Sequence, residues 1–174
     1  AVDCADVRID SDDPHHVVGE IQAKGDNICI GYFKNPEASA NAFTEDGYLH
    51  TGDLGIIDEE GNIFIRGRSK NMILGPSGQN IYPEEIEAVV NNQKYVVESV
   101  VVDRGGKLVA LVFLDEQAMA KALLDKETIS DIPENVRVGS NRLLPAYSQI
   151  WKVEVMKEPF EKTPKMSIKR FLYS

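Results

Sequence analysis

The sequence predicts an α+β fold in two bodies. A small β subdomain occupies residues 1–67, a short hinge covers 68–70, and a compact α+β domain with a three-stranded sheet and helices fills 71–174. Three observations predict it. Residues 1–66 carry short apolar runs broken by Gly, Asp and Asn, which is the texture of strands and turns. Gly67-Arg68-Ser69-Lys70 has neither helical nor strand periodicity, as expected of a link between two bodies. Beyond it, apolar residues at helical spacing alternate with strand-like runs, the pattern of helices packed on a sheet.

In the first body, Val17 to Ala23 reads as a strand and Asn27 to Ile30 as a second, shorter one. Asn35-Pro36-Glu37 starts a brief helix: Asn caps it, Pro fits the first turn, and the acid favours the positive end of the helix dipole. Glu45-Asp46-Gly47 turns the chain into Tyr48-Leu49-His50. Ile56-Ile57 and Ile63-Phe64-Ile65 then flank Asp58-Glu59-Glu60-Gly61-Asn62 as the arms of a hairpin.

In the second body, Met72-Ile73-Leu74 is a short strand, followed by the loop Gly75-Pro76-Ser77-Gly78-Gln79-Asn80, whose glycines permit positive φ or close approach by a ligand. Pro83-Glu84-Glu85 is a sound first turn for a helix with Ile86, Val89 and Val90 on one face. Val96–Val102 and Lys107–Leu114 flank Asp103-Arg104-Gly105-Gly106 as an antiparallel hairpin. Asp115 caps a helix to about Asp125 with Met119, Ala122 and Leu123 inward, Val136, Leu143 and Leu144 mark another ending at Pro145, and Ile150–Met156 alternates as a strand.

Composition narrows the function classes. With 43% hydrophobic and 27% charged residues, the 174-residue chain has the profile of a soluble globular protein. Its longest apolar run, Leu108 to Leu114, is far short of the roughly 20 residues a membrane span needs. Cys4 and Cys29 are too few for a disulfide scaffold and lack metal-ligand spacing, so a reducing cytoplasm is the expected compartment and no structural metal is expected. The net charge of −9 argues against general nucleic-acid binding. Residues 1–66 hold 14 acids and 4 bases, whereas 152–174 hold 3 acids and 6 bases, which places any handling of anions late in the chain. The start at Ala1 without a Met or a signal-like segment leads us to expect a piece of a longer polypeptide.

Taken alone, Asp53 between two glycines is turn chemistry, and Glu84, Glu85 and Glu87 at a helix start are dipole partners. His15, His16 and His50 have no partner pattern for a metal site or a triad and receive no role. The order of the pieces says more. Tyr48-Leu49-His50-Thr51-Gly52-Asp53-Leu54-Gly55, then Gly67-Arg68-Ser69-Lys70-Asn71, then Pro83-Glu84-Glu85-Ile86-Glu87, preceded by Gly19-Glu20 and Gly31-Tyr32, resembles the end of adenylate-forming acyl-CoA synthetases, and Phe160-Glu161-Lys162-Thr163-Pro164 with the Gly75–Gln79 loop looks most like the bacterial long-chain fatty acid CoA ligases.

The resemblance implies that Asp53 accepts hydrogen bonds from the ribose of ATP, a task that suits an acceptor-only carboxylate. It implies further that Arg68 contacts the nucleotide, that Lys70 is the hinge pivot, that Gly78 and Gln79 line a passage for CoA, and that residues 71–174 form a lid. ATP, Mg²⁺ and CoA would be the cofactors, a fatty acid or other carboxylate the substrate, and a missing N-terminal large domain the main partner. The carboxylate would first attack ATP to give acyl-adenylate and pyrophosphate, and the CoA thiol would then displace AMP. The tail departs from the pattern. The family's last motif reads Pro-(Lys/Arg)-Thr-x-(Ser/Thr)-Gly-Lys, and alignment of Thr163 and Arg170 puts Ser167 where the catalytic lysine belongs. Lys169, two residues on, or Lys165 is the expected substitute. Two other readings stand beside a CoA ligase: an adenylation domain that loads a carrier protein, and a non-catalytic module that kept the lid fold.

Overall fold

The computed structural model describes residues 4–125 and 128–174, and the chain separates into two units, Ala1–Asn71 and Met72–Ser174. The first opens with a strand not anticipated from the sequence, β1 (Ala5–Asp10), in which Ala5, Val7 and Ile9 alternate with Asp6, Arg8 and Asp10. It pairs antiparallel with β2 (Gly19–Gly25), which pairs with β3 (Leu49–Ile57), which pairs with β4 (Ile63–Arg68), giving a four-stranded meander in the order β1-β2-β3-β4. The expected strand over Asn27–Ile30 is a turn, closed by Ile28 N–H donating to the Gly25 carbonyl at 3.0 Å. The run pairs with no described strand, and Ile30 at its end is fully exposed.

Helix α1 (Pro36–Asn41) starts as expected, with Asn35 Oδ1 accepting from Ala38 N–H at 3.0 Å. Tyr48–His50 and Ile56-Ile57, separate pieces on sequence grounds, fall largely within the single long strand β3. Gly67 and Arg68, expected at the linker, continue β4, and only Ser69–Asn71 leaves the ladder, as one 3₁₀ turn.

The second unit begins with a small two-stranded ribbon, β5 (Ile73–Leu74) and β6 (Asn80–Ile81), and then α2 (Pro83–Asn91). Its sheet has the order β7-β8-β9, with β7 (Glu98–Asp103) antiparallel to β8 (Leu108–Phe113) and β8 parallel to β9 (Lys152–Met156). A parallel pair needs a long crossover, and α3 (Glu116–Leu124) and α4 (Ile132–Asn141) lie on it. Asp115 caps α3 through Ala118 N–H at 2.7 Å. Two apolar assignments differ from expectation. Helix α4 stops at Asn141, leaving Leu143 exposed, and on α3 Ala118, Met119 and Ala122 face the core while Leu123 faces out.

Both faces of this sheet are covered, which is why Val100–Val102 of β7 and Leu108–Phe113 of β8 are continuous apolar runs instead of alternating. On one face Val101, Ala110, Val112 and Val153 pack with Ile86 and Val90 of α2 and with Ile132 and Val136 of α4. On the other, Val100, Val102, Val109 and Leu111 are roofed by Phe160, Ile168 and Tyr173 of the C-terminal tail. Phe160 and Tyr173 meet edge to face at 5.1 Å, and the Tyr173 hydroxyl accepts from Glu161 N–H at 2.8 Å.

Glu87 joins these layers. Strand β7 is an edge, so alternate N–H groups along it lack a ladder partner. Val101 N–H finds one in Glu87 Oε1 at 2.6 Å, while Glu87 Oε2 meets the Arg170 guanidinium. Glu87 is only 7% exposed, so it is no surface dipole partner but a buried clamp between helix, sheet and tail. Burial, the largest influence, pushes its carboxyl above the ordinary value of 4.5, against the lowering effect of Arg170.

Arg170→Ala should therefore cost about 3 kcal/mol at pH 7, because it strands a buried carboxylate without its cation. Without Arg170 the carboxyl rises further. An acid whose folded value lies above its unfolded one favours the folded state as pH falls, so the penalty should shrink from pH 7 toward 4.5. Urea unfolding of both proteins at pH 7 and pH 5 measures this; a penalty that stays constant would separate Arg170 from Glu87.

Candidate functional site

The site in the first unit is built by a mismatch between strands. Glu20 pairs with Leu54 and Gln22 with His50, so Thr51, Gly52 and Asp53 on β3 face Ile21 alone on β2 and must bulge out of the ladder. Glycine is needed at the apex, where Gly52 has φ of +73°. Side chains take up the backbone groups released by the bulge. Gly52 N–H donates to Glu20 Oε1 at 2.9 Å, Asp53 N–H to Thr51 Oγ1 at 3.1 Å, and the Thr51 hydroxyl to the Ile21 carbonyl at 2.6 Å. The second Glu20 oxygen lies 2.6 Å from His50 Nδ1.

On the opposite side of β3, Asp53 pairs in register with Arg68 of β4, and Arg68 Nη1 donates to Asp53 Oδ1 at 2.6 Å. The two residues chosen from sequence for the nucleotide are thus brought together, both partly exposed, in an ion pair that leaves Asp53 Oδ2 open to a further donor. Lys70 sits exposed in the 3₁₀ turn that follows. Tyr48, at the entry to β3, lies between the cations of Arg8 at 3.9 Å and Lys24 at 5.5 Å from its ring centroid, and its hydroxyl donates to Asp6, which ties the strand's start to β1.

In the second unit, Gly78 has φ of +81° and closes a turn by donating to the Gly75 carbonyl at 2.9 Å, while Gly75 N–H donates to the Gln79 carbonyl at 2.8 Å. Gln79 and Pro76 line a cleft of about 300 Å³ whose other walls include Lys107, Tyr147 and Trp151; Gly78 shapes the loop without lining the cleft. The Lys107 ammonium stands 4.4 Å above the Trp151 ring. Cation, aromatic face and glycine-turned backbone meet in this cleft, with the Asp103 carboxylate on the same wall as Lys107. Neither Lys107 nor Trp151 stands out in the sequence; the signal available is a tryptophan near the start of an edge strand.

The tail forms a hairpin. Lys162 bridges Ile168, and Thr163 N–H donates to the Ser167 carbonyl at 2.8 Å around a turn in which Met166 takes φ of +62°. Lys169 lies on the stem: its N–H donates to the Glu161 carbonyl at 2.9 Å and its ammonium reaches Glu161 Oε2 at 3.1 Å. Lys162 is held by Glu98. Lys165 is at the exposed tip, with no ion pair among the described residues. No grouping of His, Cys, Asp and Glu among the described residues is close enough to hold a metal ion, and no helix among them is long and apolar enough to cross a membrane.

A family profile described as the C-terminal domain of AMP-binding enzymes matches residues 70–173. The chain belongs to this family. Similar curated proteins include a long-chain-fatty-acid–CoA ligase of Yersinia pestis, 33% identical over 98% of the chain, and a 2-methylpropanoate–CoA ligase of Humulus lupulus, 30% identical over 89%. The chain spans only 29% and 27% of their respective lengths. Among solved structures, ATP-bound MatB of Rhodopseudomonas palustris superposes with a TM-score of 0.78 at 29% identity, covering 99% of this chain and 34% of that one. An o-succinylbenzoate CoA synthetase of Bacillus subtilis with ATP and magnesium gives 0.80 at 26%, covering 98% and 34%.

In this AMP-binding family member, Met166 takes the left-handed backbone conformation that favours glycine, immediately before Ser167. Sequence reasoning alone does not reveal the roles of Glu20 and His50. Asking which group takes the N–H of a bulged Gly52 is the question that finds Glu20.

Gly52→Ala isolates the conformational demand of the bulge, because an added Cβ would meet nothing nearer than Arg68 Nη2 at 3.6 Å. The substitution should still cost about 1–2 kcal/mol through positive φ alone. Amide exchange along β3 should accelerate about 5- to 30-fold; unchanged protection would show that the bulge tolerates a side chain.

Proposed function

We propose that this chain is the nucleotide-clasping β unit, hinge and lid of an ATP-dependent acyl-CoA ligase acting on fatty acids in a reducing cytoplasm. The observation that carries the reading is the Asp53–Arg68 pair: a carboxylate presented on a bulge, paired through one oxygen and open to accept with the other. That is the arrangement a ribose hydroxyl pair would need. The fatty acid assignment rests on the Yersinia pestis relative, and CoA as acceptor on the CoA ligases among the curated relatives. The cleft beside Gln79, with Lys107 over Trp151, supports CoA as the second substrate.

The parent reaction has two halves, because a carboxylate is a poor electrophile until its oxygen belongs to a good leaving group. Attack on ATP gives the acyl-adenylate and pyrophosphate, and attack by the CoA thiol then releases AMP. Mg²⁺ would arrive with the ATP phosphates. Negative charge grows at the α-phosphate in the first half, where a lysine stabilises it; the second half needs that lysine withdrawn, a rotation we assign to the pivot Lys70. For the lysine we favour Lys165 over Lys169, the residue that tail spacing alone would select. Lys169 is held against Glu161 in the hairpin stem, while Lys165 stands at the tip.

The large domain that completes the nucleotide and acyl sites lies outside this chain, so the chain alone should release no AMP from ATP, CoA and a fatty acid. Turnover at the roughly 1–10³ s⁻¹ typical of enzymes would overturn the reading. In the polypeptide that carries this chain, Lys165→Ala should abolish acyl-adenylate formation and spare thioester formation from preformed adenylate. If Lys169→Ala does so instead, the role belongs to Lys169.

A further inference from the structure

The β3 bulge holds Asp53 through a residue that the nucleotide reading leaves without a task. A bulge with glycine at its apex is the most deformable point of a strand, because glycine reaches more backbone conformations than any other residue. Left to itself, the Thr51-Gly52-Asp53 segment would sample several arrangements, and the Asp53 carboxylate would move with it. The Arg68 ion pair does not prevent this, since both partners are partly exposed and a long guanidinium can follow a moving carboxylate. Two contacts do fix the backbone itself: Gly52 N–H on Glu20 Oε1, and Thr51 Oγ1 between the Ile21 carbonyl and Asp53 N–H.

Glu20 is suited to the work. It lies next to the strand mismatch, its side chain is less than a quarter exposed, and it takes the glycine amide with one oxygen while His50 holds the other. A charged acceptor makes a stronger hydrogen bond to an amide than a neutral one. We propose that Glu20, oriented by His50, is a positioning residue for the nucleotide carboxylate Asp53. It sets ATP affinity through the Gly52 backbone and touches no substrate. The inference rests on Asp53 as the nucleotide ligand.

Steady-state kinetics of the full polypeptide test it, with the KM for ATP, the KM values for carboxylate and CoA, and kcat read separately. Glu20→Ala should raise the KM for ATP on the order of ten-fold, with the other three parameters within about two-fold. Glu20→Gln should restore it, because the amide oxygen accepts from Gly52 and its NH₂ donates to the other tautomer of His50. In an Asp53→Ala background, Glu20→Ala should add nothing, since the residue it positions is gone.

An additive effect in that background would mean that Glu20 meets the nucleotide itself, and a normal KM for ATP in Glu20→Ala would mean that the bulge holds without it; either overturns the inference. Should Glu20→Ala fail to fold, Thr51→Val removes the other restraint and is judged by the same selective rise. If Asp53→Ala leaves the KM for ATP unchanged, the nucleotide reading fails and this inference falls with it.

Discussion

The second unit depends on one buried carboxylate. Glu87 answers the edge N–H of Val101 and holds Arg170, so a single side chain ties α2, the sheet edge and the tail together. A buried charge of this kind adds little net stability, because the cost of removing it from water nearly offsets what its partners return. Its value is in registration. Arg170 cannot slip along the sheet without stranding Glu87, and with Arg170 fixed, Ile168 and Tyr173 stay over the face made by Val100, Val102, Val109 and Leu111. The hairpin turn from Thr163 to Ser167 is then presented from a fixed stem.

The first unit solves the opposite problem. Where the second unit immobilises a tail, the first distorts a ladder so that one carboxylate leaves the plane of its strand. The distortion costs ladder hydrogen bonds, and side chains take over locally: Glu20 accepts from Gly52 N–H, and the Thr51 hydroxyl accepts from Asp53 N–H and donates to the Ile21 carbonyl. Functional geometry here comes from backbone register, with Asp53 aimed by the two residues before it and by the strand alongside.

Much of this is legible in the sequence, for reasons that differ by element. Asn35 and Asp115 announce their helices because a short acceptor side chain before a helix has one dominant use. The hairpin of β7 and β8 is plain because both faces are covered and the apolar run is continuous. Strand β1 is hidden by its acids at Asp6 and Asp10, although its alternation is regular. The Asn27–Ile30 run misleads because hydrophobicity signals burial, and whether a partner strand is available is a property of topology. At the site, Asp53 and Arg68 can be chosen through the resemblance of their motifs to a known family, but their register across β3 and β4 depends on a bulge that no local propensity encodes. Glu20 stands out only as part of a motif, and its use becomes visible once Gly52 needs an acceptor.

The cleft in the second unit contains the sole tryptophan of the chain, half exposed beneath the Lys107 ammonium. A lone indole in that setting is an intrinsic fluorophore whose emission depends on the polarity and charge at its face. Its spectrum therefore belongs to one unit and one surface of that unit. A molecule that displaces Lys107 or shields the ring from water changes the emission, so occupancy of the cleft can be followed optically without a label.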